Sequence, residues 1–417
     1  MPEKQAVGAS GQNERSLFKM LSFVMLWVAT LFSSLSLSMF MFTQSWYVVQ
    51  DLGFEAALGV VLISLSVPRI IFMMVGGVLS DRKDQARIMF WSDLSRAILA
   101  LMLVFEFVFV HPLPIWMLVV NAVLFGTLGG IFDPARDSIL PVVVDSELLT
   151  RANSVIQGTM QVALFSGPLL AGIMLGVAGY RGTFVLVSAC LFIAALCVYF
   201  VRTQKAGIVQ AEVSAGFWQH LKDGFSYLWD SALLKALFII SVVVNFFLSG
   251  PLFMGLPIFV EGVLKGSAID YSFVQGALTF GMIIGSILMG VINLRRKRGS
   301  YALFLMATQA VFVLILSQSN TLWMAAGAII FVGLLIPSIN IPLVSMIQEY
   351  TDKDKIGRIM SLIRTASFGL TPLSYAAASF ILSLGVPIQS ILFWSAFPLM
   401  ISVACLFVSF PVLRKAD

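Results

Sequence analysis

Long apolar stretches separated by short polar segments run through the whole chain. Stretches of about 20 apolar residues, the length that crosses a bilayer core of about 30 Å as a helix, recur from Lys19 to Leu413. Inside hydrocarbon the backbone must satisfy its own hydrogen bonds, and the alternating pattern of a membrane barrel is absent, so each stretch is predicted to be a helix. The predicted spans are 19–43, 56–79, 88–110, 114–132, 153–178, 182–201, 234–260, 270–293, 300–318, 321–341, 358–384 and 388–411.

A longer polar connection from Arg202 to about Ser231 divides these spans into two sets of six. Along it apolar residues recur at helical spacing, which predicts an amphipathic helix on the membrane surface; an ordinary solvated linker is the alternative. The two sets repeat weakly, since Gly77 and Arg82 end the second span as Gly290 and Arg295 end the eighth. Parallel six-helix repeats are typical of transporters whose halves rock about a central site. The predicted organisation is a cytoplasmic tail (1–18), a six-helix bundle (19–202), a linker (203–232) and a second six-helix bundle (233–417).

Composition and charge agree with a membrane protein. Hydrophobic residues make up 59% of the 417 and charged residues 11%, against about 25% charged residues in soluble domains. Of the 26 lysines and arginines, only Arg181 and Lys265 fall in loops of one face, and Arg69 and Arg96 fall within spans. The positive-inside rule therefore predicts a protein of the cell inner membrane with both termini in the cytoplasm. The net charge of +5 reflects these basic loops, so binding to nucleic acid is not expected.

The sequence offers little for catalysis or metal binding. Its two histidines, His111 and His220, are far apart at opposite faces, and its three cysteines, Cys190, Cys197 and Cys405, form no Cys-x-x-Cys pair. A membrane-embedded enzyme would need a nucleophile with a base, or a metal cluster. We therefore expect no enzyme, no cofactor and no metal site.

The segment after the second span carries a family signature. Residues 77–87, GVLSDRKDQAR, resemble the Gly-x-x-x-Asp-Arg pattern that follows the second helix in the major facilitator superfamily. The resemblance implies an all-α membrane protein with twelve transmembrane helices in two six-helix bundles. Gln85 and Ala86 stand where further basic residues are usual, which implies a weaker contact at this loop.

The same resemblance implies a latch on the cytoplasmic side. Gly77 lets a neighbouring helix approach closely. Asp81 would accept hydrogen bonds from the free N–H groups at the start of the eleventh helix, near Gly357 and Arg358. That contact would hold the cytoplasmic side shut; the alternative is that these charges only fix the topology.

Charged pairs are expected at two places. Arg82 and Arg87 follow the latch residue and should pair with acids on adjacent loops. The candidate acids are Asp133 and Asp137. Within the third span, Asp93 and Arg96 lie three residues apart on one helix face, so their charges are expected to compensate each other in a structural pair.

Two further segments narrow the resemblance. Residues 134–154, PARDSILPVVVDSELLTRANS, and residues 341–362, IPLVSMIQEYTDKDKIGRIMSL, resemble the macrolide-efflux and enterobactin-exporter branch of the superfamily. This implies a monomeric secondary-active exporter in the lipid bilayer, which moves an amphipathic small molecule, such as a siderophore or a macrolide-like drug, by proton antiport and alternating access. A lysophospholipid or other lipid transporter and a nutrient uptake symporter of the same fold are the alternatives.

The fifth span contains Gly167 and Pro168 within residues 163–172, ALFSGPLLAG. This segment is similar to the Gly-Pro antiporter motif of superfamily exporters, although Ala163 and Ala171 replace two of its glycines. Pro168 removes a backbone donor and bends the helix. The implied role is a tight outer gate that favours export over uptake; a bare kink is the alternative, since Gly and Pro are common in membrane helices.

Arg69 is the most informative single residue, because it lies near the middle of the second span. An unpaired cation at that depth costs at least about 3 kcal/mol, so we expect it to meet an anionic group of the substrate or a coupled acid; a carbonyl or amide partner is the alternative. The central parts of spans one, four, seven and ten contain no acid. Glu106, about 6 Å deep, is either a proton site or simply reaches water. One fixed cation without a central acid favours anionic or neutral amphipathic substrates over organic cations.

Several uncharged polar side chains fall in spans expected to line a central cavity. They are available to hydrogen-bond a substrate within an aromatic and methionine-rich surround, and bonds between helices are the alternative for each one. The candidates are Asn121, Gln157, Gln161, Asn245 and Asn340.

Overall fold

The described part of the protein consists of helices and short connections. The computed structural model describes residues 17–110, 112–201, 225–292, 297–352 and 355–412, without the side chains of residues 146, 356–358, 361, 364 and 368. The predicted tail (1–18) therefore lies almost entirely outside the described residues. No strand occurs within the described ranges. The spanning helices are α1 (Leu21–Gln50), α2 (Glu55–Arg82), α3 (Gln85–Phe109), α4 (Ile115–Val143), α5 (149–178) and α6 (180–199) as the two arms of Leu149–Tyr199, α7 (Ala232–Val263), α8 (Ala268–Ile292), α9 (Arg298–Ser317), α10 (Leu322–Tyr350), α11 (Ile356–Ser383) and α12 (Ile388–Ser409).

The segment Leu149–Tyr199 is too long for one crossing. Its 51 residues would extend about 77 Å, more than twice a bilayer core of about 30 Å. At Gly179 the backbone leaves the helical region, with φ 64° and ψ −167°, a conformation that is essentially restricted to glycine. In the described ranges 11 helices are long and apolar enough to cross a membrane, and dividing this one at Gly179 gives twelve. The predicted all-α fold with twelve spans is confirmed.

The twelve helices form two six-helix bundles, α1–α6 and α7–α12. In the first bundle α1 packs along Leu149–Tyr199 and α2 packs along α4. In the second, α8 packs along α10, and α9 lies against both α10 and α12. The bundles meet mainly along two helix pairs, α2 with α11 and α5 with α8. These four helices therefore control the space between the bundles.

The two faces of the molecule differ in charge. Each bundle has an even number of spans, so both described ends of the chain, Leu17 and Val412, lie at the same face. Lys83, Arg87 and Arg151 are exposed there, and we call it the basic face. The opposite face, which carries the connections after α1, α3 and α7, is called the far face.

α4 and α10 continue well beyond their predicted ends. α4 ends at Val143 rather than at residue 132, and α10 ends at Tyr350 rather than at residue 341. The segments that begin at Pro134 and Ile341 are therefore helical where loops were expected. Hydropathy marks the end of an apolar run, whereas a helix continues past it for as long as its backbone hydrogen bonds are made, whether the residues that follow face water or the interior of the bundle.

The predicted linker helix falls mainly on residues 202–224, which lie outside the described residues. Residues 225–230 are helical. The Tyr227 hydroxyl accepts a hydrogen bond from Asp352 N at 3.3 Å, and Lys355 Nζ lies 4.1 Å from the centre of the Tyr227 ring. The end of the linker therefore contacts the loop between α10 and α11 in the second bundle.

α7 changes its winding toward the far face. A π turn spans Gly250–Met254, and Pro251 lacks the N–H group that would bond a carbonyl in the preceding turn. Ser374 of α11 bridges this interruption, because its hydroxyl accepts from Gly250 N at 2.6 Å and donates to Phe246 O at 2.5 Å. The irregular turn is thereby fixed to α11.

Ser374→Ala is expected to lower the free energy of unfolding by about 1–3 kcal/mol, because it leaves a buried backbone N–H and C=O without this partner. The thermal unfolding midpoint of the purified protein in detergent measures the effect. The matched control is Ser383→Ala on the same helix, where the exposed hydroxyl bonds only to Phe380 O, and its change should stay within about 0.5 kcal/mol. Equal midpoints for the two variants would contradict the bridging role.

Candidate functional site

An ion pair joins α2 and α4 inside the first bundle. Arg69 Nη2 and Nε lie 2.7 Å and 3.0 Å from Asp133 Oδ2. The two helices approach closely because glycines lie where they touch; a Cβ added at Gly76 of α2 would lie 2.8 Å from Ile131 Cα of α4. Arg69 is about 20 Å from the basic end of α2 at 1.5 Å per residue. The pair therefore lies within the membrane-spanning part of the bundle.

A second arginine engages the other oxygen of Asp133. Arg136 Nη1 lies 3.2 Å from Asp133 Oδ1, and Arg136 Nη2 lies 2.9 Å from Asp137 Oδ1. Side-chain exposure is 67% for Asp137, 9% for Arg136, 13% for Asp133 and 30% for Arg69. A row of alternating charges thus runs from water at the basic face into the bundle, and it is partly exposed again at Arg69.

A separate charged pair lies wholly within the first bundle. Arg96 Nη2 donates to Asp93 Oδ1 on α3. Ser33 of α1 accepts from Arg96 Nη2 at 3.1 Å and donates to Asp93 Oδ1 at 3.0 Å. The Arg96 guanidinium also lies 4.7 Å from the centre of the Phe132 ring. The two charged side chains are 0% and 2% exposed, so their charges compensate inside the span, as predicted.

The pairing of Arg82 and Arg87 with the candidate acids Asp133 and Asp137 is wrong. The candidate acids are engaged elsewhere, since Asp133 holds the two arginines described above and Asp137 binds Arg136. The physical reason is that α4 stays helical past its predicted end, which turns these acids toward neighbours on their own helix and on α2. Arg82 and Arg87 are exposed at the basic face, where Arg87 Nε lies 3.8 Å from Asp84 Oδ2 in a surface ion pair.

The expectation of a fixed cation without a central acid is also wrong. Asp133 lies just beyond the predicted fourth span (114–132), yet it is about 15 Å from the end of α4 at Val143. It is buried, and it neutralises Arg69 at 2.7 Å. The predicted preference for anionic or neutral substrates is therefore no longer supported. Of the two partners expected for Arg69, the structure shows an acid of the protein, Asp133.

At the far face the two bundles touch through small residues. A Cβ added at Gly59 of α2 would lie 2.5 Å from Ser379 Cβ of α11, and one added at Gly172 of α5 would lie 2.5 Å from Ser272 Cβ of α8. The Ser379 hydroxyl also donates to Ala56 O across the interface at 2.5 Å. Each contact sets a first-bundle glycine against a second-bundle serine, so the backbones approach more closely than a larger side chain would allow.

Aromatic rings fill the space between α1 and α8 next to these contacts. The Tyr271 ring stacks on Phe42 at 4.4 Å and on Trp46 at 5.5 Å between ring centres. All three side chains are buried. Stacked aromatic pairs stabilise by about 0.5–1.5 kcal/mol beyond the burial of their area. The glycine–serine pairs and this stack together close the far face.

Nearer the basic face, the same helices have free space beside them. A Cβ added at Gly77 of α2, Gly158 of α5 or Gly290 of α8 would meet no atom within 4 Å. On all three helices the glycines near the far face, Gly59, Gly172 and Gly276, have neighbours within 3.4 Å of an added Cβ. Gly77 lies 18 residues from Gly59, and Gly158 and Gly290 lie 14 residues from Gly172 and Gly276, so at about 3.6 residues per turn each open glycine lies on nearly the same helix face as the glycine in contact. The interface between the bundles is thus closed at the far face and open around these three glycines toward the basic face.

Gly167 and Pro168, the expected outer gate, lie inside the first bundle. A Cβ added at Gly167 would lie 2.6 Å from Ser38 Cβ of α1, and Pro168 is buried beside it. Two residues of this segment meet α8 of the second bundle, Gly172 beside Ser272 and Leu169 beside Gly276. The motif pointed to Gly167 and not to Gly172, because sequence alone does not tell which face of the helix meets the other bundle.

The latch expected at the basic face stays a prediction. Asp81 is exposed and Gly77 has free space beside it. The side chains of Gly357 and Arg358, its expected neighbours, lie outside the described residues. An exposed Asp81 is compatible with a molecule whose basic side is open.

The uncharged polar candidates do not converge on one site. Asn121 is buried, and among the described residues its Oδ1 has no hydrogen-bond partner. Asn245 Nδ2 donates to Ser241 O within α7 at 2.8 Å. Glu106 is half-buried, with a buried Oε2 that lacks a partner in the described ranges. Gln157, Gln161 and Asn340 are exposed. Over the same ranges no group of His, Cys, Asp and Glu side chains is arranged to hold a metal ion.

Most of this chain matches known proteins in sequence. A family model described as the Major Facilitator Superfamily matches residues 26–374. Macrolide efflux protein A of Streptococcus pyogenes is 25% identical over 351 residues, which cover 82% of this chain and 84% of that protein. The putative bacilysin exporter BacE of Bacillus subtilis is 27% identical over 320 residues, which cover 74% of this chain and 76% of that protein.

Solved structures share its architecture. A crystal structure of a variant of the nucleoside transporter NupG matches with a TM-score of 0.72 and 12% identity, over 93% of this chain and 100% of that one. A structure from work on substrate recognition in proton-dependent oligopeptide transporters matches with a TM-score of 0.69 and 13% identity, over 95% of this chain and 99% of that one. At these identities the likeness concerns the fold alone.

Proposed function

Because the chain belongs to the Major Facilitator Superfamily, we propose that it is a secondary-active exporter that moves an amphipathic small molecule out of the cell in exchange for protons. The chain is a multi-pass membrane transporter and not an enzyme. Transport would follow alternating access, in which the two bundles tilt so that a shared pocket opens to one face at a time.

The observation that carries this proposal is the asymmetry between the two faces. The far face is closed by Gly59 against Ser379 and by Gly172 against Ser272, whereas the glycines nearer the basic face have free space. The positive-inside rule assigns the basic face, with both termini, to the cytoplasmic side of the inner membrane. In that orientation the described arrangement is open to the cytoplasm, where an exporter binds its substrate; an importer passes through the same state, so the direction of transport rests on the relatives named for efflux and export. A monomer suffices, because both bundles belong to one chain.

The named relatives support the substrate class. They are named for efflux of macrolides and, putatively, for export of bacilysin. At 25% and 27% identity, a compound class rather than a single compound is the appropriate inference. A siderophore or a macrolide-like drug fits this class.

Proton antiport supplies enough energy for export. One proton that moves down a gradient of about 150 mV releases about 3.5 kcal/mol, at about 2.3 kcal/mol per 100 mV. This corresponds to about 300-fold accumulation, since about 1.4 kcal/mol is a factor of ten.

Everted inner-membrane vesicles that contain the protein test the proposal. Their cytoplasmic side faces outward, so erythromycin, used as the macrolide probe, should accumulate inside once the lumen is acidified, and a protonophore should abolish the accumulation. Vesicles prepared without the protein serve as the control. Accumulation that is independent of the proton gradient, or an absence of accumulation for both erythromycin and a catecholate siderophore, would contradict proton-driven export.

A further inference from the structure

We infer that the exposed edge of the Arg69 guanidinium binds an oxyanion of the transported molecule, such as a carboxylate. This inference rests on the proposed export and adds the group of the substrate that is recognised and the residue that recognises it. The sequence suggested an anionic substrate for another reason, a cation without an acid, which Asp133 at 2.7 Å removes. The reason given by the structure is that Asp133 covers only one edge of the guanidinium.

The Arg69 guanidinium keeps hydrogen-bond donors for a second partner. It has five N–H groups in a planar fork, and Asp133 Oδ2 is bonded by Nε at 3.0 Å and by Nη2 at 2.7 Å. Within the described ranges Nη1 bonds to no other group. The bonded edge faces α4, since a Cβ added at Gly129 would lie 3.8 Å from Nε. The end edge, formed by Nη1 and Nη2, has the geometry that binds both oxygens of one carboxylate.

This end edge opens onto the space between the bundles and not onto lipid. The Arg69 side chain is 30% exposed. Met73 and Gly77 follow it along α2 at intervals of four residues, on nearly the same side of the helix; Met73 is exposed, and Gly77 has free space beside it. The exposed apolar residues Ile71 and Val78 lie about 180–200° around the helix from Arg69, at about 100° per residue. That opposite side meets the lipid, where a guanidinium would be costly.

The charges next to this edge leave it positive. Arg69, Asp133 and Arg136 form the inner part of the charged row, with side-chain exposures of 30%, 13% and 9%, and together they carry one excess positive charge. Asp137 is 67% exposed, so water screens most of its charge. The Asp93–Arg96 pair is neutral in itself. An anion at Arg69 therefore balances the inner charges, whereas a cation would add to them.

Asp133 limits how tightly such an anion is held. Its two oxygens bind Arg69 and Arg136, and the two guanidinium groups keep it ionised. Its carboxylate shares Arg69 with the substrate, so part of the attraction is already used within the first bundle. Removal of the Asp133 charge is therefore expected to strengthen the binding of an anion, whereas removal of Arg69 is expected to abolish the preference for it. A general loss of structure does not produce opposite effects of this kind.

The site ranks the compound types that fit the proposed export. A siderophore of the carboxylate type carries the group that Arg69 recognises. The charged group of a macrolide such as erythromycin is an amine, so a macrolide would be bound through other contacts. The site therefore sets a preference among substrates.

Two amphipathic probes with the same ring system test the inference on the full-length protein in lipid nanodiscs. Pyrenebutyrate carries a carboxylate and pyrenebutanol a hydroxyl, the fluorescence of pyrene reports the binding of both, and empty nanodiscs measure their partition into lipid. We expect the Kd of pyrenebutyrate to be about ten- to a hundredfold lower than that of pyrenebutanol, which is the usual effect of a hydrogen bond to a charged group.

Arg69→Gln should raise the Kd of pyrenebutyrate at least about tenfold and change that of pyrenebutanol by less than about twofold. Asp133→Asn should lower the Kd of pyrenebutyrate at least about threefold, because the competing carboxylate is gone. The matched control is Arg87→Gln, which removes a cation of the basic face whose side chain is 84% exposed. It should bind both probes as the wild type does.

Equal Kd values for the two probes in the wild type overturn the inference, and this comparison needs no folded variant. A preference for pyrenebutyrate that survives in Arg69→Gln, or that becomes weaker in Asp133→Asn, overturns it as well. If Arg69→Gln does not fold, the wild type and Asp133→Asn decide the question together.

The vesicle assay separates this inference from the exporter proposal. If the wild type accumulates erythromycin under a proton gradient and pyrenebutyrate binding does not depend on Arg69, the anion site is wrong and proton-driven export stands. If pyrenebutyrate binding depends on Arg69 but the wild type accumulates neither erythromycin nor a siderophore, the site stands and proton-driven export fails.

Discussion

Gly172→Leu is expected to lower export at least about tenfold, because it prevents the bundles from closing at the far face. Even a Cβ at this position would lie 2.5 Å from Ser272 Cβ and 3.0 Å from Ala268 O, and backbone atoms do not move aside cheaply. Overpacking of this kind costs about 1–3 kcal/mol or more. A cost of about 3 kcal/mol shifts a two-state equilibrium by more than a factor of 100. The transporter would then remain open at the far face and lose one half of its cycle.

Vesicle uptake of erythromycin measures the loss, and spin-label distances across the far face measure its cause. The matched control is Gly327→Leu on α10, where an added Cβ meets no atom within 4 Å and the flanking Trp323 and Phe331 are exposed. It should transport normally. Adding Ser272→Gly to Gly172→Ala should recover part of the transport activity that Gly172→Ala loses, since it removes the atoms nearest to the added Cβ. Wild-type distances in Gly172→Leu would show that closure does not depend on this contact.

Gly59 offers an independent check on the second helix pair. Its added Cβ would lie 2.5 Å from Ser379 Cβ, so Gly59→Leu should open the same face from the α2–α11 side. If the two glycines act on one closure, the double variant should be little worse than either single variant, because a gate that is already open has no further contact to lose.

The helices and their order could be predicted from the sequence, because crossing hydrocarbon imposes a length and an apolarity that each segment satisfies by itself. The Asp93–Arg96 pair could also be predicted, since three residues on one helix fix its geometry. The return at Gly179 was anticipated as a loop between spans, although the structure holds helix on both sides of it. Local information was enough in each case.

The site was harder to predict, because it depends on depth and on contacts between segments. Asp133 lies at the boundary of an apolar run, and only the continued helix of α4 reveals that it is buried next to Arg69 on α2. Nothing local distinguishes Gly59 and Gly172 among the 32 glycines. Which glycine meets the other bundle depends on helix rotation, which is set by tertiary packing.

Arg96→Met is expected to lower the free energy of unfolding by about 3–5 kcal/mol, because it leaves Asp93 as an unpaired charge inside the bundle. Asp93 accepts from Arg96 and from Ser33, and its side chain is 0% exposed. Arg96→Lys should also destabilise, since a lysine cannot reproduce the planar contact with the Phe132 ring at 4.7 Å. Chemical unfolding in detergent micelles measures both variants. The exposed Arg87, with 84% of its side chain accessible, gives the control Arg87→Met, which should change stability by less than about 0.5 kcal/mol.

The double variant Arg96→Met with Asp93→Leu decides whether the loss comes from the missing pair or from the charge left behind. Replacing both members of a buried ion pair by apolar residues of similar volume is often neutral or stabilising, whereas removing one member is not. We therefore expect the double variant to be more stable than Arg96→Met alone, which is opposite to what independent contributions would give. Losses that simply add would mean that each side chain acts through its own packing, and the pair would then have no electrostatic role in holding α3 against α1.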